Sequence, residues 1–111
     1  MKRLFIMLSL SFLFSDTFHV PSEYSTIQSA IDASSDGDTV LVSAGTYYEN
    51  LYITKSLYFV GEDRNLTIVD GGSFGEQTES VFKIEGNNDY QPFVSISEFT
   101  MTNGYGGNGG G

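Results

Sequence analysis

The spacing of apolar residues along the chain changes period once. Ile27, Ala30 and Ile31 recur at i, i+3 and i+4, while Gln28, Ser29 and Asp32 fall between them, a spacing that predicts a helix with one narrow apolar stripe. Ser25 and Gln28 are spaced as a capping box, in which each side chain satisfies a backbone N–H of the other, so the helix is expected near 26–34. About nine residues are too few for a helix to persist alone in water, so the stripe must rest on something apolar. Asp36-Gly37-Asp38 is turn chemistry, and beyond it the period shortens toward two.

The first run after that turn is TVLV at 39–42. Others follow at irregular intervals: NLYI at 50–53, SLYFV at 56–60, LTIV at 66–69, VFKI at 81–84, FVSI at 93–96 and FTMT at 99–102. Each predicts a strand of about four residues. Gly45, Gly61, Gly71, Gly72, Gly86 and Gly104 lie between them, most beside Asp, Asn or Glu, as corners require. Residues 16–24 hold Pro21 and show no period, and read as an extended lead-in.

Many short strands with polar corners arise in antiparallel sandwiches and in parallel solenoids. Spacers such as GEDRN and GGSFGEQTES lack the two-residue Asn-Gly or Asp-Gly loops that hairpins favour, whereas solenoid corners vary in length. An all-β parallel solenoid is therefore expected. The helix just before its first strand would then cover the open end, laying Ile27, Ala30 and Ile31 over the apolar interior and its unpaired edge.

Composition adds a compartment. MKRLFIMLSLSFLF at 1–14 places Lys2 and Arg3 before an apolar run from Leu4 to Phe14, the layout of a signal peptide, expected to span 1–15 with cleavage near Ser15. A run of about eleven residues is too short for a bilayer that needs roughly twenty, so no membrane span is expected after cleavage. The protein is accordingly expected to be secreted or at the cell surface. With no Cys in the chain, no disulfide staples it and stability must come from packing.

The formal net charge is −9, with 14 acidic residues. Cleavage of the leader would leave Lys55, Arg64 and Lys83 as the basic residues. Nucleic acid is excluded as a partner on this balance, because so acidic a surface repels phosphate backbones. One His, His19, and no Cys exclude a histidine-based triad or a typical zinc site within the chain.

The stretch 24–71, YSTIQSAIDASSDGDTVLVSAGTYYENLYITKSLYFVGEDRNLTIVDG, resembles the N-terminal region of right-handed parallel β-helix proteins of the pectin lyase-like superfamily, pectinesterases in particular. Thr26 to Ala33, Asp38 to Asn50 and Val60-Gly61 carry the pattern, and ISEFTMTNG at 96–104 is similar to a later coil of the same families. The resemblance implies a right-handed single-stranded parallel β-helix with a capping helix. The cap and first coils would occupy 25–105, and the Gly-rich stretch 106–111 reads as truncated. Pectinesterases place their catalytic Asp, Gln and Arg residues after the matched region, so the resemblance carries no catalytic residue onto this chain. The Gly-rich end NGYGGNGGG departs from the pectinesterase pattern and looks more like insertions of large bacterial surface β-helices.

Other candidate chemistry is weak. Gly104 to Gly109 formally satisfies G-x-G-x-x-G, yet no helix N-terminus or acidic residue follows to hold a dinucleotide. The same tail has Gly111 where a glycine-rich calcium repeat has Asp, which leaves no calcium ligands. Asp36 with Asp38, and Glu62 with Asp63, read as turn residues, since paired carboxylates must converge on one bond from separate positions. Asn65-Leu66-Thr67 is either a glycosylation sequon or a corner before a strand. No cofactor and no metal site are expected.

Tyr47, Tyr48, Tyr52, Tyr58 and Phe59 offer faces on which a sugar can stack. Alternation puts Leu57 and Phe59 on one side of the strand and Tyr58 on the other, so Tyr58 is the candidate carbohydrate-stacking residue and Phe59 belongs to the core. The expected function is that of the N-terminal part of an exported protein that binds or processes extracellular polysaccharide, with any esterase, lyase or hydrolase site beyond Gly111. A noncatalytic, adhesin-type surface protein is the alternative. Nothing in the sequence specifies an oligomeric state.

Overall fold

The computed structural model describes residues 15–72 and 80–104. The expected signal peptide, 1–15, lies outside the described residues except for Ser15, and the Gly-rich end over 106–111 lies outside them entirely. Ten elements follow in chain order: β1 (Thr17–Val20), α1 (Ile27–Ala33), β2 (Asp38–Val42), β3 (Gly45–Tyr48), β4 (Leu51–Ile53), β5 (Leu57–Gly61), β6 (Thr67–Asp70), β7 (Phe82–Ile84), β8 (Val94–Ser97) and β9 (Thr100–Thr102). The strands form three sheets, ordered β1-β2-β5-β8, β3-β6-β9 and β4-β7. Every pairing is parallel.

These sheets are small and not closed on one another. The right-handed single-stranded β-helix expected from the sequence is thereby corrected to three open parallel sheets of 4, 3 and 2 strands with one helix. Short alternating runs and hairpin-free spacers demand parallel pairing, which is found. They do not specify a closed coil, since closure depends on how separate sheets meet, a relation no local pattern encodes.

Register explains the core. Phe18, Val40, Phe59 and Ile96 pair in one row across the four-stranded sheet and point inward. Phe59 is fully buried and meets Phe82 of β7 edge-on, with ring centroids 5.5 Å apart. Leu51, Ile53, Leu57, Val69 and Val81 complete the interior. Gly61 at the end of β5 is required by space: a Cβ there would sit 2.0 Å from the Glu98 carbonyl oxygen.

The lead-in, expected only as extended chain, contributes β1, whose Phe18 and Val20 turn inward. Its outer edge is closed at His19. The His19 carbonyl accepts from the N–H groups of Glu23 and Tyr24, both at 3.0 Å, and its N–H donates to the Glu23 carboxylate at 3.1 Å. A strand edge so occupied cannot template another chain at that residue.

The helix buries Ile27, Ala30 and Ile31 as the stripe requires, but its capping box is one residue later than expected. Thr26 Oγ1 accepts from the Ser29 N–H at 3.1 Å, and Ser29 Oγ accepts from the Thr26 N–H at 3.3 Å. Gln28, freed from that role, pairs its side-chain amide with the Tyr52 N–H at 2.9 Å and carbonyl at 3.1 Å, covering the edge of β4. Among the described residues no helix is long and apolar enough to cross a membrane.

Seven residues cannot hold a helix unaided. Glu49, just after β3, supplies both carboxylate oxygens to the first turn, accepting from Ile27 N–H at 2.8 Å and Gln28 N–H at 3.0 Å. Lys55, just before β5, donates to the Ile31 carbonyl at 2.9 Å and the Ser34 carbonyl at 2.6 Å. An anion at the N-terminus and a cation at the C-terminus satisfy orphan backbone groups and oppose the helix dipole at both ends.

Candidate functional site

Tyr58 lies on β5 between two buried neighbours. Leu57 and Phe59 point inward at zero exposure, and Tyr58 points outward with 44% of its surface exposed. Across the sheet its row continues through Thr17, Thr39 and Ser95, so the ring rises from a flat face of small hydroxyl side chains.

The strand pairing brings Phe93 beside it. The Phe93 carbonyl accepts from Leu57 N–H at 3.1 Å and the Phe93 N–H donates to Ser56 Oγ at 2.9 Å, so its backbone is held on both sides against the start of β5. The two rings pack edge to face, centroids 6.0 Å apart and planes at 66°. Phe93 is 62% exposed. Together they form an apolar ledge with two differently tilted faces, open to solvent.

A polar cluster borders the ledge. Asp36 Oδ1 accepts from the Ser56 N–H and from the Tyr90 hydroxyl, both at 2.9 Å, and the Ser56 and Tyr90 hydroxyls are 2.6 Å apart. The Ser56 N–H, then the Tyr90 hydroxyl and a weaker attraction from Lys55, hold the Asp36 carboxyl below its ordinary value. Tyr90 is delivered by a tight turn in which Asn87 Oδ1 accepts from the N–H groups of Asp89 and Tyr90, both at 2.8 Å. A Cβ at Gly86 would meet the Tyr90 carbonyl at 2.5 Å, so the turn needs glycine there.

The other sequence-selected aromatics are engaged. Phe59 is core, and Tyr47 packs against it with its hydroxyl on the Ser43 carbonyl at 2.8 Å. Burial, then Glu62 and Glu49, raise the Tyr47 phenol above its ordinary value. Tyr52 is exposed, but its hydroxyl donates to Glu85, which raises its pKa, and Lys83 Nζ sits 5.8 Å from its ring centroid. Tyr48 is 72% exposed on a different sheet.

Asp36 lies in a turn and Glu62 and Asp63 in the loop after β5, but Asp38, expected as a turn residue, opens β2. Asp38 is buried, with one oxygen on Asp16 N–H at 2.9 Å and the other on Ser35 N–H at 2.7 Å. Glu62 accepts from Ala44 N–H and Asp63 from Asn65 N–H, each at 2.8 Å. Among the described residues no group of three or more His, Cys, Asp or Glu converges on a metal position. The G-x-G-x-x-G stretch beyond Gly104 lies outside the described residues.

Sequence reasoning missed Phe93, Tyr90 and the part played by Asp36. FVSI identified a strand, but Phe93 stands just before β8, and only the Tyr58–Phe93 proximity reveals the ledge. An open depression lined by Asp16, Thr17, Phe18, Glu23 and Tyr24 lies elsewhere, at the β1 edge, where Phe18 and Tyr24 pack on each other with centroids 5.6 Å apart. Phe18 and Tyr24 are each only part-exposed, whereas both rings of the ledge are exposed.

In comparison with known proteins, the chain matches no family model, no curated protein and no solved structure. The resemblance of residues 24–71 to pectin lyase-like proteins therefore stands on sequence alone.

Proposed function

We propose that this chain belongs to an exported protein, secreted or held at the cell surface, and binds extracellular polysaccharide through the ledge of Tyr58 and Phe93. The observation that carries this reading is the pair of exposed rings set edge to face, with the Phe93 backbone held against the start of β5. Aromatic faces held rigid match the C–H faces of pyranose rings and cost little side-chain entropy on binding. The bordering groups, one carboxylate and two hydroxyls, are suited to hydrogen-bonding sugar hydroxyls. Cleavage by paired carboxylates would need a second acid on the opposite side of the bond, so the role assigned to the ledge is binding.

The test is calorimetry of the chain against a panel of plant and bacterial polysaccharides, with Tyr58→Ala, Phe93→Ala and Tyr48→Ala compared. One lost stacking contact of about 1 kcal/mol corresponds to roughly fivefold in affinity. Tyr58→Ala and Phe93→Ala should each weaken binding by at least that factor with an unchanged circular dichroism spectrum, while Tyr48→Ala leaves it intact. Binding that survives loss of both ledge residues refutes the assignment.

A further inference from the structure

Three Lys and Arg side chains lie among the described residues; each is held by other groups, and Lys55, next to Ser56, reaches the ledge only as a weak attraction on Asp36. Lys55 is spent on the carbonyls of Ile31 and Ser34 at the end of α1. Arg64 is paired with Glu98, its Nη2 2.8 Å from Oε2. Lys83 lies over the Tyr52 ring, on a different sheet from Tyr58.

The charge that does border the ledge is negative. Asp36 is exposed and uses Oδ1 for Ser56 and Tyr90, while its Oδ2 takes no hydrogen bond from the described residues. That oxygen is an acceptor open to a sugar hydroxyl and repels a sugar carboxylate. The surrounding field has the same sign, since the whole chain carries a net charge of −9.

Resting on the polysaccharide-binding reading above, we propose that the Tyr58–Phe93 ledge takes neutral, hydroxyl-bearing sugars and discriminates against uronates. Neutral pyranoses offer C–H faces to both rings and a hydroxyl donor to Asp36 Oδ2. A uronate offers the same faces but places a carboxylate near another carboxylate, and the cation that acts there among the described residues, Lys55, is already held by the Ile31 and Ser34 carbonyls. Acidic pectin is on this argument a poor ligand.

The experiment measures affinities of the full chain for cellohexaose, mannohexaose and a galactan hexamer, and for hexagalacturonate and an alginate hexamer. EDTA is present throughout to exclude bridging cations, and each titration is run at low and at high salt. The expected result is binding of at least one neutral oligomer, weakened by Tyr58→Ala, with both uronates about tenfold weaker at low salt. That gap should narrow at high salt, where the Debye length falls to a few Å. Asp36→Asn should also narrow it. If its fold is disturbed, the salt series on the parent chain still decides the matter. A uronate that binds as tightly as the best neutral oligomer overturns the discrimination while leaving polysaccharide binding standing, and loss of that uronate affinity in Lys83→Ala would move its site to Tyr52. If no oligomer of either class binds, the polysaccharide-binding reading itself fails and this inference falls with it.

Discussion

Replacing Glu49 with Ala should loosen a helix that lies in a different part of the sequence. Its carboxylate accepts two N–H groups of the first turn of α1, at 2.8 and 3.0 Å, and α1 has no acidic residue of its own in that turn. A hydrogen bond to a charged group contributes about 1.5–3 kcal/mol when buried. Glu49 is half-buried and water can replace part of each bond, so about 2 kcal/mol for the pair is the expected loss on Glu49→Ala. Glu49→Gln keeps one acceptor oxygen but turns an amide donor toward the other N–H, for a loss of about 1 kcal/mol. Against a total of roughly 5–10 kcal/mol for a small domain, either is a large fraction. In urea, with a slope of about 1.3 kcal/mol per molar, Glu49→Ala should lower the midpoint by roughly 1.5 M without changing the slope. Hydrogen exchange should show the Ile27 and Gln28 amides losing protection first. A midpoint within about 0.3 M of the parent, or a Gln variant as damaged as the Ala variant, would refute the assignment of Glu49 as the remote cap.

Other variants test the packing and the charges. Gly61→Ala forces a Cβ to 2.0 Å from the Glu98 carbonyl oxygen and should cost about 3 kcal/mol in thermal or urea unfolding. Gly37→Ala meets open space and suffers only its φ of +92°, so about 1 kcal/mol is expected; equal costs at the two glycines would contradict the steric account. Phe59→Ala empties a fully buried ring and should lose about 3–5 kcal/mol, whereas Tyr58→Ala, on the outer face of the same strand, should lose only its edge-to-face contact with Phe93, about 1 kcal/mol. Asp36 has its folded pKa pushed below the ordinary 3.8 by the Ser56 N–H and the Tyr90 hydroxyl, so its contribution is complete above that value and lost as pH falls through the lower folded value. The stability difference between parent and Asp36→Asn should thus be flat at neutral pH and shrink in acid; a difference that grows on acidification would show the sign to be wrong.

Local pattern was enough to locate most elements. β2 and β4 to β9 form within a residue or two of the apolar runs, because alternation of buried and exposed side chains is a property of consecutive residues. Leu57, Tyr58 and Phe59 likewise take the sides that alternation assigns. The Ile27, Ala30 and Ile31 stripe is inside for the same reason, at helical period. Turn spacers also excluded tight hairpins, and every described strand pair is parallel.

What depended on residues far apart in the chain was not legible there. β1 and β3 carry no apolar run of their own, Thr17 and His19 alternating with the inward residues of β1 and GTYY making up β3, and they are drawn into sheets by pairing with β2 and β6. Either Ser25 or Thr26 could cap α1 on local grounds, and the choice of Thr26 accompanies Gln28 being drawn off to the Tyr52 backbone. Glu49 reaches back 22 residues to Ile27, and Lys55 reaches back 24 to Ile31, distances at which no periodicity carries information. The division into three open sheets in place of one closed solenoid is of the same kind, a relation between surfaces and not between neighbours. So is the ledge: Tyr58 was legible as an exposed ring, but Phe93 became its partner only when β8 paired in parallel with β5, because pairing is what converts sequence separation into contact.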